Sequence, residues 1–217
     1  GFYLLNINDN YDYVGNPNMK NEKSLNLNLS STFENEKWMV KAKVNYFYIK
    51  DYIVGKPREG VPPMNITANG IKVYEQLNHA SIFNSSLGII YRPFFDWTFS
   101  ANASFRYGQG SENTVLPLIQ PFSYEVKARY GKQNYFAEIG LEGSTKNRNS
   151  IEFGESRKPG YTLVNLAFSK EISLNEQALI LKLGVDNLFD RYYSTFDDWF
   201  NIPSMGRNIY VNAIFKF

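Results

Sequence analysis

Period-two alternation governs this sequence, and it is plainest where the chain ends. In GRNIYVNAIFKF, Ile209, Val211, Ala213, Phe215 and Phe217 alternate with Asn208, Tyr210, Asn212 and Lys216, and Ile214 is the single breach. Side chains that point by turns to two faces make a β-strand with one apolar and one polar side. An amphipathic helix would need apolar residues every three or four positions instead.

Eight earlier segments repeat the pattern. Leu25, Leu27, Leu29 and Phe33 share a face in Ser24 to Phe33, and Trp38, Val40, Ala42, Val44, Tyr46 and Tyr48 share one in Trp38 to Ile49. A long, irregular third segment, Ile71 to Arg92, aligns Phe83, Leu87, Ile89 and Tyr91. The fourth sets Trp97, Phe99, Ala101, Ala103, Phe105 and Tyr107 against Thr98, Ser100, Asn102, Ser104 and Arg106. Further segments begin near Ser123, Tyr135, Val164 and Leu179. Each is near the roughly 9–11 residues that a tilted strand needs to cross a bilayer.

Charge sorts by face. Lys41, Lys43, Arg106, Lys127, Arg129, Glu138 and Lys182 all fall opposite the apolar side, and several apolar runs begin or end in Trp or Tyr. A Lys or Arg facing lipid at mid-membrane costs roughly 2–4 kcal/mol, so this sorting suits a lipid-facing wall with a wet inner face. The connections alternate strictly in length. Short turns fall at Glu34–Lys37, Arg92–Asp96, Gly131–Asn134 and Glu171–Gln177, and long ones at Lys50–Gly70, Gly108–Phe122, Lys146–Gly160 and Asp186–Met205. Outer-membrane barrels keep short turns on one side and long loops on the other; a soluble sandwich, which also alternates, has no reason to. A mean hydropathy of −0.38 does not oppose this, because a barrel strand shows lipid only every second residue. A net charge of +2 and the lack of a basic patch interleaved with aromatics argue against a nucleic-acid partner. With no cysteine, disulfide frameworks and thiolate metal sites are excluded.

Four stretches, in order, carry a resemblance to a family. They are GNPNMKNEKS (Gly15 to Ser24), YEQLNHASIFNSSLGIIYRP (Tyr74 to Pro93), LPLIQPFSYEVKARY (Leu116 to Tyr130), and VDNLFDRYY followed by GRNIYVNAIFKF. Together they resemble the carboxy-terminal part of a TonB-dependent outer-membrane receptor, and the Asn-rich, aromatic style resembles receptors of Bacteroidota. The resemblance implies an all-β antiparallel transmembrane barrel segment of about nine strands, part of a plugged barrel of roughly 22 strands. It implies residues 1–23 as an extracellular loop and 24–217 as the carboxy-terminal strands, with Gly1 outside the cell. The plug, its TonB box and the other strands are then expected on a separate piece, cut or divided in an exposed loop. The implied function is active import of a scarce ligand, a ferric siderophore, haem or another metal complex. Implied partners are the plug, the TonB complex acting through it, outer-membrane lipid, and a surface lipoprotein. A passive porin-like channel and a surface adhesion or binding protein on a barrel scaffold stand as alternatives. No acid/base pair or nucleophile arrangement emerges, so no enzyme, resident cofactor or metal site is expected.

Candidate ligand residues lie in the outer loops. Asp9, Asn10 and Asp12, with Tyr11, offer oxygens suited to a hard cation, although a solvated loop is the simpler reading. Arg58, Arg148, Arg157 and Lys158 are placed to steer an anionic complex, or are ordinary surface charge. Tyr192, Tyr193, Phe196, Trp199 and Phe200 crowd the last loop, for ligand stacking or for loop packing. Lys41, Lys43, Arg106 and Arg129 are read as lumen residues that face the plug. His79, the only histidine, could serve a haem as axial ligand, but it lies within a strand whose parity turns it towards lipid or the interface, and a structural or surface role is expected instead.

Overall fold

Nine antiparallel strands follow the nine alternating segments. The computed structural model describes residues 3–6, 9–148, 150–174, 177–198 and 202–216. A hairpin of β1 (Tyr3–Asn6) and β2 (Tyr11–Val14) precedes β3 (Lys23–Glu34), β4 (Trp38–Arg58), β5 (Ile71–Tyr91) and β6 (Trp97–Gly110). After these come β7 (Ser123–Lys132), β8 (Tyr135–Ser144), β9 (Tyr161–Leu174), β10 (Gln177–Asp186) and β11 (Asn208–Lys216). From β3 to β11 each strand pairs with the next in an antiparallel meander. Among the described residues, the edges of the meander are β3, paired only with β4, and β11, paired only with β10.

The register joins the apolar faces into one surface. A single row runs Trp38–Tyr91–Phe99–Ala128–Ile139–Leu166–Val185–Ile209 across eight strands. The row Lys41–Gly88–Asn102–Glu125–Glu142 lies on the opposite face. Ile214 pairs directly with Ile180, so the breach in the last strand has an apolar neighbour on the polar face. Leu29, Val126, Ile139, Leu183 and Val211 are all exposed. An apolar sheet face left this open is a surface for lipid rather than for water.

Aromatic contacts mark two levels on that surface. Near the short turns, Trp38 stacks on Tyr91 at 3.9 Å, Trp97 on Phe99 at 5.6 Å, and Trp97 meets Tyr130 at 5.1 Å. Towards the long connections Tyr48 stacks on His79 at 5.6 Å, and Phe83 meets Phe105 at 6.4 Å. Trp38 to Tyr48 spans about 34 Å along the strand, or about 24 Å once tilted by about 45°. That matches an apolar band about 25 Å tall between two aromatic girdles. His79 therefore belongs to the upper aromatic level.

β4 and β5 run well beyond this band. Each has 21 residues, about 70 Å of extended chain. The connection expected over Lys50–Gly70 thus shortens to residues 59–70. β3 stops at the pair Lys23–Lys50, so β4 has a free edge beyond that point. Pro57 has no N–H for a ladder and is tolerated on such an edge. The preceding segment dresses the exposed backbone: the Ile53 N–H donates to Glu22 Oε1 at 2.6 Å, and Gln76 Nε2 donates to Lys20 O at 2.7 Å and Asp51 O at 2.9 Å.

Candidate functional site

The long connections meet in a cap above the two extended strands, and the tight apolar core lies there. Val54, Ile71, Ala80, Leu116, Phe153 and Leu163 are buried. The connection after β6 folds back over the sheet: a Cβ added at Gly108 would stand 2.5 Å from Ile119 Cδ1, so that position takes only glycine without a shift. Ser150 Oγ donates to Val115 O at 2.5 Å and ties residues 145–160 to residues 111–122. Lys158 donates from Nζ to Asp198 O, and Gln120 Nε2 donates to Asp197 Oδ1 at 3.2 Å, drawing in the last loop. Burial holds the Lys158 ammonium below the usual lysine range.

An ion pair sits inside the cap. Lys72 Nζ lies 2.7 Å from Asp9 Oδ2, with side-chain exposures of only 6 % and 7 %. The ammonium also stands 4.5 Å over the Tyr11 ring, a cation–π contact. Asp9 is set by its own turn, accepting the Tyr11 N–H at 3.3 Å. Tyr13 donates its hydroxyl to Asp9 Oδ2 at 2.7 Å. Burial, then that hydrogen bond, pushes the Tyr13 phenol far above its ordinary range, so it stays a donor. β2 reaches this position by pairing in parallel with β5, Asp12 opposite Ile71.

A cavity of about 260 Å³ opens beside the pair, lined by Asp9, Tyr13, Tyr52, Lys72, Tyr74, Pro117, Phe153 and Glu155, among others. Glu155 spans two loops, accepting the Ser150 N–H at 2.8 Å and the Leu118 N–H at 3.2 Å. Burial nonetheless raises its carboxyl above the usual range. Folding then favours the protonated form: the stabilisation is complete below the ordinary carboxylate range and is lost as pH rises through the raised value. Amide exchange in residues 111–122 and 145–160 should accordingly quicken as pH rises across that window, after correction for intrinsic exchange. Glu155→Gln should flatten the profile, and an unchanged profile would locate the dependence elsewhere.

The residues singled out from the sequence do not converge on this cavity. Tyr11 serves the Lys72 ammonium. Asp12 is buried and accepts the Asn65 N–H at 2.9 Å, so its carboxylate holds residues 59–70 in place. Asp9 does bind a cation, but that cation is Lys72 of the same chain. Arg58 pairs with Glu75, and Arg148 lies 4.9 Å over the Tyr107 ring. Arg157 and Tyr192 are exposed, while Tyr193 packs on Tyr161 at 4.5 Å. Trp199 and Phe200, like Phe217, lie outside the described residues. Lys41, Lys43, Arg106 and Arg129 are exposed on the polar face, and Arg129 stacks on Phe136 at 3.8 Å. Among the described residues no three His, Cys, Asp or Glu side chains gather as they would around a metal ion.

One motif has a physical role that its letters did not reveal. In VDNLFD, Asn187 is buried at the base of the last loop. Its Oδ1 accepts the Arg191 N–H at 2.7 Å, its Nδ2 donates to Arg191 O at 2.9 Å, and its own N–H donates to Asn165 Oδ1 at 2.9 Å. Asp190 Oδ1 accepts the Arg207 N–H at 2.8 Å, and a Cβ at Gly206 would come within 2.6 Å of that oxygen. The terminal GRN thus closes onto NLFD. Asn187→Ala removes the side-chain bonds and leaves Arg191 groups unpaired, a cost of roughly 2–3 kcal/mol. Faster proteolysis within residues 187–207 should report it.

The family model "TonB dependent receptor-like, beta-barrel" matches residues 1–188. No curated protein sequence matches the chain. Among solved structures, the copper transporter OprC superposes with a TM-score of 0.75 at 21% identity, over 94% of this chain and 34% of that one. The FrpB iron transporter from Neisseria meningitidis (F3-3 variant) gives 0.67 at 15% identity, over 92% and 31%. The siderophore receptor PirA from Acinetobacter baumannii gives 0.63 at 18%, over 95% and 33%. The chain thus spans about a third of the length of each of these relatives. With the barrel match over most of its length, and with strands that carry an apolar band between aromatic girdles, this chain belongs to the TonB-dependent receptor-like β-barrel family, and its place is the outer membrane.

Proposed function

We propose that this chain forms part of the wall and outer loops of a receptor that imports a scarce ligand across the outer membrane with energy supplied through TonB. The observation that carries the proposal is the division of one sheet into an apolar band, a charged opposite face, and a packed cap of long loops at one end only. A passive pore has no need for a cap with its own core. The solved relatives bear names that refer to copper, iron and siderophores, and a metal complex is the ligand class proposed here, a ferric siderophore or haem foremost. The long loops then lie outside the cell, residues 1–23 among them. The free edges at β3 and β11 are completed by strands beyond these 217 residues, because unpaired ladder groups cannot face lipid. A plug fills the lumen against Lys41, Lys43, Arg106 and Arg129. Of the outer-loop candidates, Arg148, Arg157 and Tyr192 remain exposed for first contact with the ligand.

The test is uptake by cells with and without the receptor, using radioactive iron supplied as ferric citrate, as a ferric catecholate and as haem. Deleting the receptor should abolish uptake of one of these probes, and a protonophore or removal of TonB should do the same. Uptake that persists with the protonophore would establish a passive channel instead.

A further inference from the structure

The charges on the polar face are not spread evenly. Within the height of the apolar band, the charged residues of this face on β3 to β6 are Lys41, Lys43 and Arg106, apart from Glu34, which sits at the short-turn end opposite Met39; Asp51 and Lys72 share the parity only in the extensions above the band. Their cross-strand partners on β5 are Gly88, Ser86 and Asn84, all neutral. Among the described residues none of the three cations has an ion-pair partner, and all three are exposed. On β7 to β11, carboxylates and cations alternate on the same face. Lys127 pairs with Glu125, Lys216 lies 3.8 Å from Glu171, and Arg129 stands across from Glu138.

From this asymmetry we infer that the plug presents an acidic surface to β4–β6, whereas the wall of β7–β11 is already compensated and meets a near-neutral one. The inference rests on the proposed reading of the chain as a wall around a plug. Like charges crowded on one wall repel, and a lumen filled by protein screens them less than open water does. Carboxylates on the plug offset this repulsion. An anionic ligand is the weaker candidate. The three cations stand at the levels of Lys41, Lys43 and Asn45 on β4, below the extension from Asp51 to Arg58 that carries the loop cap.

Zero-length carbodiimide cross-linking, which joins an amine directly to a carboxylate, tests this on the whole receptor. Peptide mapping should show Lys41 or Lys43 joined to an Asp or Glu of the plug. K41Q/K43Q should abolish that product, and K127Q should leave it. Free acetylation of both amines in the intact receptor, or links only to carboxylates of these 217 residues, would overturn the inference. Heat-modifiable migration on a gel reports barrel assembly separately. An assembled barrel with freely reactive amines counts against the acidic plug face alone, and loss of the barrel signal counts against the wall reading itself.

Discussion

Val126→Arg should destabilise the barrel by roughly 2–4 kcal/mol, the cost of an arginine facing lipid near mid-membrane. Val126 lies at the centre of the apolar face, between Ala101 on β6 and Leu141 on β8, and is 47 % exposed. Its neighbour Lys127 already carries a charge one residue along, paired with Glu125 on the other face. The matched control is Ser100→Arg, directly across from Lys127 on the polar face, which should cost far less. Urea titration of the receptor refolded into lipid vesicles, followed by heat-modifiable migration, compares the two. Equal losses would mean that neither face looks onto lipid, and the membrane assignment of the sheet would fail. The contrast between adjacent positions makes the test sharp, since the same side chain is added on both sides of one wall.

Lys72→Met should loosen the cap by about 3–5 kcal/mol, because it leaves the Asp9 carboxylate buried without its counter-charge. The remaining donors to Asp9, the Tyr13 hydroxyl and the Tyr11 N–H, do not neutralise it. Most of the loss should appear locally, as faster amide exchange and proteolysis across residues 9–14, 59–70 and 145–160. The strands below should keep their protection, since their register does not depend on the pair. Adding Asp9→Asn to Lys72→Met should recover much of the loss, because removing both charges removes the burial penalty with them. A single Lys72→Met variant as well protected as the wild type would show that the pair is incidental to the cap.

β3 to β11 were legible from period-two patterning alone, and so was the sorting of Lys41, Lys43, Arg106 and Arg129 onto one face. The register confirms the shared apolar face, row by row. Less visible were the extensions of β4 and β5. Lys50 interrupts the apolar face there, and Pro57 reads as a loop signal until β4 is known to be an edge at that point. The β1–β2 hairpin was also hidden, because its pairing with β5 is parallel and distant in sequence. Among the candidate site residues, Asp12 and Tyr11 have the chemistry of ligand groups, but the structure turns that chemistry inward, to Asn65 and Lys72. Glu155 carried no sequence signal, since a lone glutamate in a long loop looks like surface until two other loops close over it.

By itself, then, the sequence determined that the chain makes paired strands, which face meets lipid, and which end carries the long loops. These properties are local: alternation fixes the direction of each side chain within a strand, and turn length fixes each hairpin. Only the tertiary structure decided what the loops do with their charges. Lys72 meets Asp9 across 63 positions of sequence, Glu155 joins two loops, and among the described residues Lys41, Lys43 and Arg106 are left without an ion-pair partner while Lys127 and Lys216 find theirs. Ion pairing depends on separation in space and on loss of water around the charges, and no repeat in the sequence encodes either quantity.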